Sequence, residues 1–381
     1  MNTTKEILLV TETPPGTPNG FGVTLDTLFK DLDPDVLFTD AEFKDHGDRN
    51  GYKLAQIPFH RSKKYLLSLL IGKTPEWRGI YSRLWAKKHI TKKYDFIYSF
   101  VYSSSCLKYG NWLAKKLNSK HIVHIADHSP DFFEDKKCVE IIKNAKKRIT
   151  IGNNMRDSYQ DFHKLDDFQI LHNGVDSNQI PIDFDRRVSF GPEKPFKLLF
   201  LGSLFENLHT ECIEDVCEAV RQLSSEGHHI KFDIYGQIVP DNMLNHHIDN
   251  QSVRYHGCIP SSERFSLMEK YDCLIVPSSF NREKSHSYSY SIPTKLPEVL
   301  SSGLPVLIYG PKIMEAHRFC TRLDAGHKIS DRSIDALREY FIRTMENYDE
   351  IRKNSFKLAT KIKEDFSGNS FRTKLVHILA Q

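Results

Sequence analysis

Lys295 and Glu298 stand close together in the stretch Ser287–Gly310, SYSYSIPTKLPEVLSSGLPVLIYG. The stretch reads as a loop, a helix opened at Pro293, a turn at Gly303 and the buried strand PVLIYG. Proline suits a first helical turn and glycine the residue just past a last one. A lysine and a carboxylate then share the first turns of a helix whose amino terminus lies beside a strand end. Such a terminus offers backbone N–H groups to an anionic phosphate. A second candidate is Asp127-His128-Ser129-Pro130, which follows the apolar run HIVHIA. A carboxylate or imidazole at the carboxyl end of a parallel strand can orient or deprotonate a hydroxyl. The plainer alternative is that Asp127 or Ser129 caps the next helix.

A third candidate is the loop TPPGTPNGFG, with Gly16, Gly20 and Gly22, between the strand EILLVTE and a helix beginning near Val23. Glycines there let the backbone approach a ligand closely. The spacing is not the dinucleotide pattern GxGxxG, and no GK[ST] is present. An ordinary strand-to-helix turn explains the loop equally well.

These residues need a scaffold, and the apolar runs supply one. Strands are expected at Asp35–Thr39, Tyr94–Phe100, His121–Ala126 and Arg148–Ile151, separated by helical patterns at Ser105–Leu117 and around Val139–Lys147. A second alternation follows: FKLLFLGS, a helix over Thr210–Ser225, FDIYGQ, VRYHGC, the helix SERFSLMEKY, DCLIVPSS and PVLIYG. Buried strands alternating with helices predict doubly wound, mostly parallel sheets, which bind ligands outside the carboxyl ends of their strands. The strands of the second half each end in glycine, proline or a small polar residue, which places permissive backbone along one rim. Normal turn chemistry would produce the same residues.

At 381 residues the chain is long enough for two cores. We read residues 1–178 as an amino-terminal domain, 179–194 as a linker and 195–365 as a carboxy-terminal domain, with a final helix over 366–381 crossing back to the first. The +4 net charge is the small balance of 53 basic and 49 acidic residues, so nucleic acid is not an expected partner. No secretion signal or membrane-spanning run is evident. The seven cysteines form no CxxC pair, and most sit in apolar patterns, as buried thiols in a reducing cytoplasm would. The segment Arg61–Lys93 carries Trp77, Ile80, Tyr81, Leu84 and Trp85 at helical spacing among Arg78, Arg83, Lys87, Lys88, Lys92 and Lys93. Either it is an amphipathic helix docked on the sheet, or a basic aromatic surface that meets an anionic membrane or a lipid-diphosphate acceptor.

In this order the motifs resemble the retaining GT-B glycosyltransferases of the large group called family four. The resemblance runs through Pro18-Asn19-Gly20-Phe21-Gly22, His172-Asn173-Gly174-Val175-Asp176, Leu201-Gly202-Ser203-Leu204, Ile234-Tyr235-Gly236 and Val253 to Gly257. It continues through Asp272 to Ser278 and ends in Ser291-Ile292-Pro293-Thr294-Lys295-Leu296-Pro297-Glu298 with Gly303-Leu304-Pro305-Val306. It covers nearly the whole chain and fits best the subgroup with a SIPTK-type motif. It implies two Rossmann-like domains facing a central cleft and a nucleotide-sugar donor, a UDP- or GDP-sugar, bound by the second domain. By resemblance Glu298 accepts from the ribose hydroxyls. Backbone near Ser291, Ile292, Pro293 and Thr294 meets the diphosphate with Lys295 nearby, and Gly20, Gly22, Gly202, Ser203 and Gly236 approach the donor. Asp127 and His128 stand where such enzymes contact the donor sugar or acceptor.

Many relatives carry a second acid where this chain has Tyr290, so donor-sugar contacts there are expected from backbone and hydroxyls, and an arginine where it has Ser203. Arg282 and Lys284 are the expected substitutes for the missing diphosphate cations; a solvated charged loop is the alternative. No DxD pair stands at a strand end to hold a divalent ion, so neither a metal nor another cofactor is expected. The resemblance points to sugar transfer, with retention, onto a carbohydrate or lipid-linked acceptor in surface polysaccharide or glycolipid synthesis, in the cytoplasm or peripherally on the inner membrane face. A GT-B sugar-nucleotide epimerase and a non-catalytic nucleotide-sugar-binding scaffold are the alternatives.

Overall fold

The computed structural model describes residues 5–17, 19–38, 53–56, 76–172, 174–175, 190–205, 209–239, 244–260, 263–281 and 289–381. The chain divides into two compact units, Met1–His172 with Arg372–Gln381, and Asn173–Phe371.

The first unit is built on β1 (Ile7–Thr11), β2 (Asp35–Phe38), β3 (Lys53–Gln56), β4 (Phe96–Val101), β5 (Lys120–Ile125), β6 (Lys147–Thr150) and β7 (Phe168–Ile170). They form one sheet in the order β3-β2-β1-β4-β5-β6-β7, and every pairing is parallel. All five residues of β1 and all six of β4 are buried, as parallel strands covered on both faces require. The order reverses between β1 and β4, which makes their carboxyl ends the topological switch point of this sheet. β3 was not expected from the sequence: its KLAQ lacks an apolar run, and the strand exists because β2 offers it an edge in register.

Asn19 starts the helix Gly20–Phe29 earlier than the expected Val23, because its side chain accepts from the Gly22 amide at 2.9 Å. Ser103 likewise caps Ser104–Leu117, which stops at Asn118 in the left-handed region, φ 51°. Two histidines of β5 serve the core. His124 Nδ1 lies 2.8 Å from Tyr98 Oη and His121 Nε2 lies 2.9 Å from Ser99 Oγ. Burial pulls both imidazoles down to about 3, so they are neutral.

Of the basic aromatic segment, residues 61–75 lie outside the described residues. Glu76–His89 is helical. Ala86 is buried, Lys116 Nζ donates to the Ala86 carbonyl at 3.3 Å and Arg83 lies over the Trp112 ring. Leu84, by contrast, is 58% exposed, so the expected apolar stripe is not wholly docked. No helix among the described residues is long and apolar enough to cross a membrane.

The second unit is built on β8 (Phe196–Leu201), β9 (Leu204–Phe205), β10 (Ile230–Tyr235), β11 (Ile238–Val239), β12 (Val253–Tyr255), β13 (Cys273–Pro277), β14 (Val306–Tyr309) and β15 (His327–Ile329). Its six-stranded sheet runs β12-β10-β8-β13-β14-β15, and β9 and β11 pair separately beyond the ends of β8 and β10. β8 and β13 form the centre, and Phe196, Leu198, Phe232, Cys273 and Leu307 are wholly buried in one core. Within the expected linker, residues 179–189 lie outside the described residues, while Phe190 sets its ring edgewise on Phe196 and Tyr348.

The last helix, Gly368–Ala380, begins in the second unit, but its residues from Arg372 onward group with the first. Leu375, Ile378 and Leu379 are buried, and Lys5 Nζ donates to the Leu379 carbonyl. The amphipathic period at the carboxyl terminus thus completes the first unit's surface.

Candidate functional site

The diagnostic stretch lies between β13 and β14, neighbouring strands of the second sheet. Its helix is shorter than the sequence suggested. It spans Leu296–Ser301, and the proline within its first turn is Pro297, not Pro293. The reason is local. Pro297 has no N–H to return to the Pro293 carbonyl, so the turn before it is not carried on as helix. The Pro293 carbonyl instead accepts from Leu296 N at 2.9 Å, and the first helical bond is Val299 N to the Lys295 carbonyl at 2.8 Å. This short terminus therefore offers fewer amide donors than a helix opened at Pro293 would.

What the structure adds is a charge cluster. Arg264 opens the short helix Arg264–Met268 after β12, and its Nη1 lies 3.2 Å from Glu298 Oε2. The two side chains are only 17% and 15% exposed. Lys295 stands at the cap of the Glu298 helix. Burial raises the Glu298 carboxyl above the usual range, with Arg264 and then Lys295 opposing it. Burial also lowers the Lys295 ammonium, and the neighbouring Arg264 lowers it further. One cation thus pairs with the carboxylate and a second lies within electrostatic range of it, in a largely desolvated place. Sequence reading missed Arg264, because no local pattern marks a residue whose partner lies 34 positions on.

Ahead of this cluster, Ile292 is buried at 3% exposure, while Tyr290, Ser291, Pro293 and Thr294 are half-buried. Arg282 and Lys284 lie outside the described residues. The loop that leads to them is anchored: Glu211, in the first turn of Thr210–Ser225, accepts from Phe280 N at 2.9 Å, Asn281 N at 3.3 Å and Ser279 Oγ. His209 supplies no cation, since burial holds its imidazole down at about 4.

Gly202 and Gly236 come together at the ends of β8 and β10. Gly202 N donates to the Tyr235 carbonyl at 2.9 Å and Gly236 N to the Gly257 carbonyl at 2.8 Å. Tyr255 Oη donates to the Gly236 carbonyl at 2.9 Å. Ser203 is exposed just beyond this knot. A pocket of about 490 Å³ opens on this unit, lined among others by Pro195, Lys231 and Arg254. It lies at the amino ends of β8 and β10, away from the carboxyl ends where such sheets bind ligands, so the Arg264–Glu298–Lys295 cluster is the better candidate.

In the first unit, Gly20 and Gly22 follow β1, whereas Asp127 and His128 follow β5, two places along the sheet. A Cβ on Gly22 would lie 2.5 Å from the Thr17 carbonyl oxygen, so the loop requires glycine there for its own packing. His128 N donates to Asp127 Oδ1 at 2.9 Å, and His128 Nδ1 lies 3.0 Å from Tyr159 Oη. The Asp127 carboxylate thereby holds the His128 backbone, and Tyr159 holds its imidazole. The switch point holds a group the sequence did not single out. Glu12 follows β1, and its Oε1 accepts from Ser103 Oγ, which follows β4. Its Oε2 is buried with no hydrogen-bond partner within normal distance among the described residues, and burial pushes the carboxyl up to about 7.

Two units, each a parallel sheet with flanking helices, define the GT-B architecture of glycosyltransferases. Residues 195–347 match the family described as "Glycosyl transferases group 1", and this span contains Arg264, Lys295 and Glu298. The whole chain is similar in fold to HepE of Anabaena in complex with UDP-glucose, with 14% identity, 99% of each chain covered and a TM-score of 0.67. Sucrose-phosphate synthase from Thermosynechococcus elongatus gives 12% identity, 99% and 98% coverage and a TM-score of 0.70. WaaG, a glycosyltransferase involved in lipopolysaccharide biosynthesis, gives 14% identity, 98% and 99% coverage and a TM-score of 0.64. No curated protein matches the chain by sequence.

Proposed function

We propose that the chain is a glycosyltransferase that moves a sugar from a nucleoside-diphosphate sugar, a UDP-sugar by preference over a GDP-sugar, onto a carbohydrate or lipid-linked acceptor. The observation that carries this reading is the family match over the unit holding the Arg264–Glu298–Lys295 cluster. UDP and UDP-glucose in structures of similar fold support the choice of donor. Transfer from such a donor passes through a state in which the nucleoside diphosphate gains negative charge, so donors and cations must already face it. In this reading Glu298 accepts from the ribose hydroxyls, Lys295 faces the diphosphate, and backbone around Ser291 and Thr294 completes the phosphate contacts. Gly202, Ser203 and Gly236 form the floor beside the donor, and Arg282 and Lys284 add cations. Gly20, Gly22, Asp127 and His128 serve the transferred sugar and the acceptor. Retention of configuration, a role in surface polysaccharide or glycolipid synthesis and contact with an anionic membrane through Arg61–Lys93 extend the same proposal.

A thermal-shift panel of UDP-, GDP-, CMP- and ADP-sugars tests it, since a ligand that binds the folded state raises its apparent stability. A UDP-sugar is expected to shift the transition, and a matching acceptor to release UDP. A chain that binds none of the panel would overturn the proposal. Binding with donor interconversion and no UDP release would replace transfer by epimerisation.

A further inference from the structure

We propose that Arg264 is a positioning residue of the nucleotide site, holding Glu298 as an oriented carboxylate ready for a ribose diol. The inference rests on the nucleotide reading above and deepens it, since nothing in the motif around Glu298 specifies this arginine.

Glu298 has to be ionised to work. A carboxylate presents only acceptors to a pair of hydroxyl donors, whereas a protonated carboxyl presents a competing O–H. Yet its side chain is only 15% exposed, and burial favours the neutral form. Two groups oppose that tendency: Arg264 from the helix Arg264–Met268, then Lys295 from the turn before Glu298's own helix. Lys295 is itself depressed by burial and by Arg264, with Cys258 nearby. The helix Tyr348–Asp365, which packs on the Glu298 helix, turns Arg352 to the Gly303 carbonyl. Arg264 is thus the principal counter-charge. Its Nη1 donates to Glu298 Oε2 at 3.2 Å, which holds that oxygen toward the arginine. A permanent guanidinium suits this role better than an ammonium that burial can discharge.

The test separates this inference from the nucleotide reading. The Glu298 carboxyl is titrated in the ligand-free protein by carbon-13 NMR, in wild type and in R264Q. UDP affinity is then measured across about pH 6 to about pH 9, with a single proton setting the limiting slope at roughly tenfold per pH unit. In R264Q the Glu298 midpoint is expected to move upward. UDP binding should become pH-dependent, weak in acid and recovering toward wild type in base. R264K, which keeps a cation but one that burial can discharge, should restore the wild-type profile in part, and E298Q should bind UDP weakly at every pH. A Glu298 midpoint unchanged in R264Q, or a uniform loss of UDP affinity at all pH values, would overturn the inference. A wild-type protein that does not bind UDP, or an E298Q that binds it normally, would instead overturn the nucleotide placement. Circular dichroism of each variant at each pH verifies that the fold is retained.

Discussion

The Gly236 α-carbon sits so close to the Gly202 carbonyl that a Cβ added there would overlap its oxygen. Gly236 also has φ 135°, a conformation that L side chains rarely adopt. The ends of β8 and β10 are joined there, and β9 and β11 pair just beyond. Gly236→Ala is expected to cost on the order of 2–4 kcal/mol from strain and overlap together. It should lower the urea midpoint of the second unit and weaken UDP binding through displacement of the β9–β11 ribbon. An unchanged midpoint would show that the two backbones can part at little cost.

Lys295 and Glu298 should fail in different ways. Lys295→Met removes a point charge expected to face the diphosphate. It should weaken UDP by roughly tenfold, a typical value for one charged contact, and leave uridine nearly unaffected. Glu298→Ala removes an acceptor for ribose hydroxyls, so UDP and uridine should weaken together by roughly 10- to 100-fold. Calorimetric titration of the two ligands against the two variants reads this directly, and equal losses of uridine in both would reverse the assignment.

Glu12 makes stability depend on pH. Its folded carboxyl titrates at about 7, against about 4.3 in an unfolded chain. Between those values the folded state holds more proton than the unfolded state, so stability falls as pH rises. The contribution is fully present below about pH 4 and is lost above about pH 7, an amplitude of about 4 kcal/mol. Glu12→Gln imitates the protonated form. It should flatten this part of the profile and be more stable than wild type at about pH 8. Urea unfolding at several pH values measures it, and a variant less stable than wild type in base would show that the Ser103 bond needs the charge.

Six of the seven cysteines are buried, and Cys258, just past β12, is exposed. Ellman's reagent should therefore titrate a single fast thiol in the native protein, and Cys258→Ser should abolish that phase. Burial raises the thiols of Cys106, Cys138, Cys212, Cys217, Cys273 and Cys320, so they should react only on unfolding. Cys258 also lies within electrostatic range of Lys295, so bound UDP is expected to slow its modification.

Much of the architecture is legible from local pattern. Runs such as ILLV, LLFL and CLIVP are apolar throughout, and that suits only strands covered on both faces, which makes parallel sheets the consistent solution. Helix caps are equally local: Asn19 and Ser103 act on amides three residues ahead. The edge strand β3 and the two-residue strands β9 and β11 escape such reading, because they owe their conformation to a neighbour already in place.

The candidate site divides along the same line. The sequence alone determined that Lys295 and Glu298 share a turn between two buried strands, since proline, glycine and periodicity act over a few residues. Tertiary structure alone decided that Arg264 turns to Glu298, that Glu12 lies beneath Ser103, 91 residues away, and that Cys258 faces solvent. Charge pairing and desolvation depend on which groups the packed chain brings within a few ångströms, and that distance is not written in the spacing along the chain.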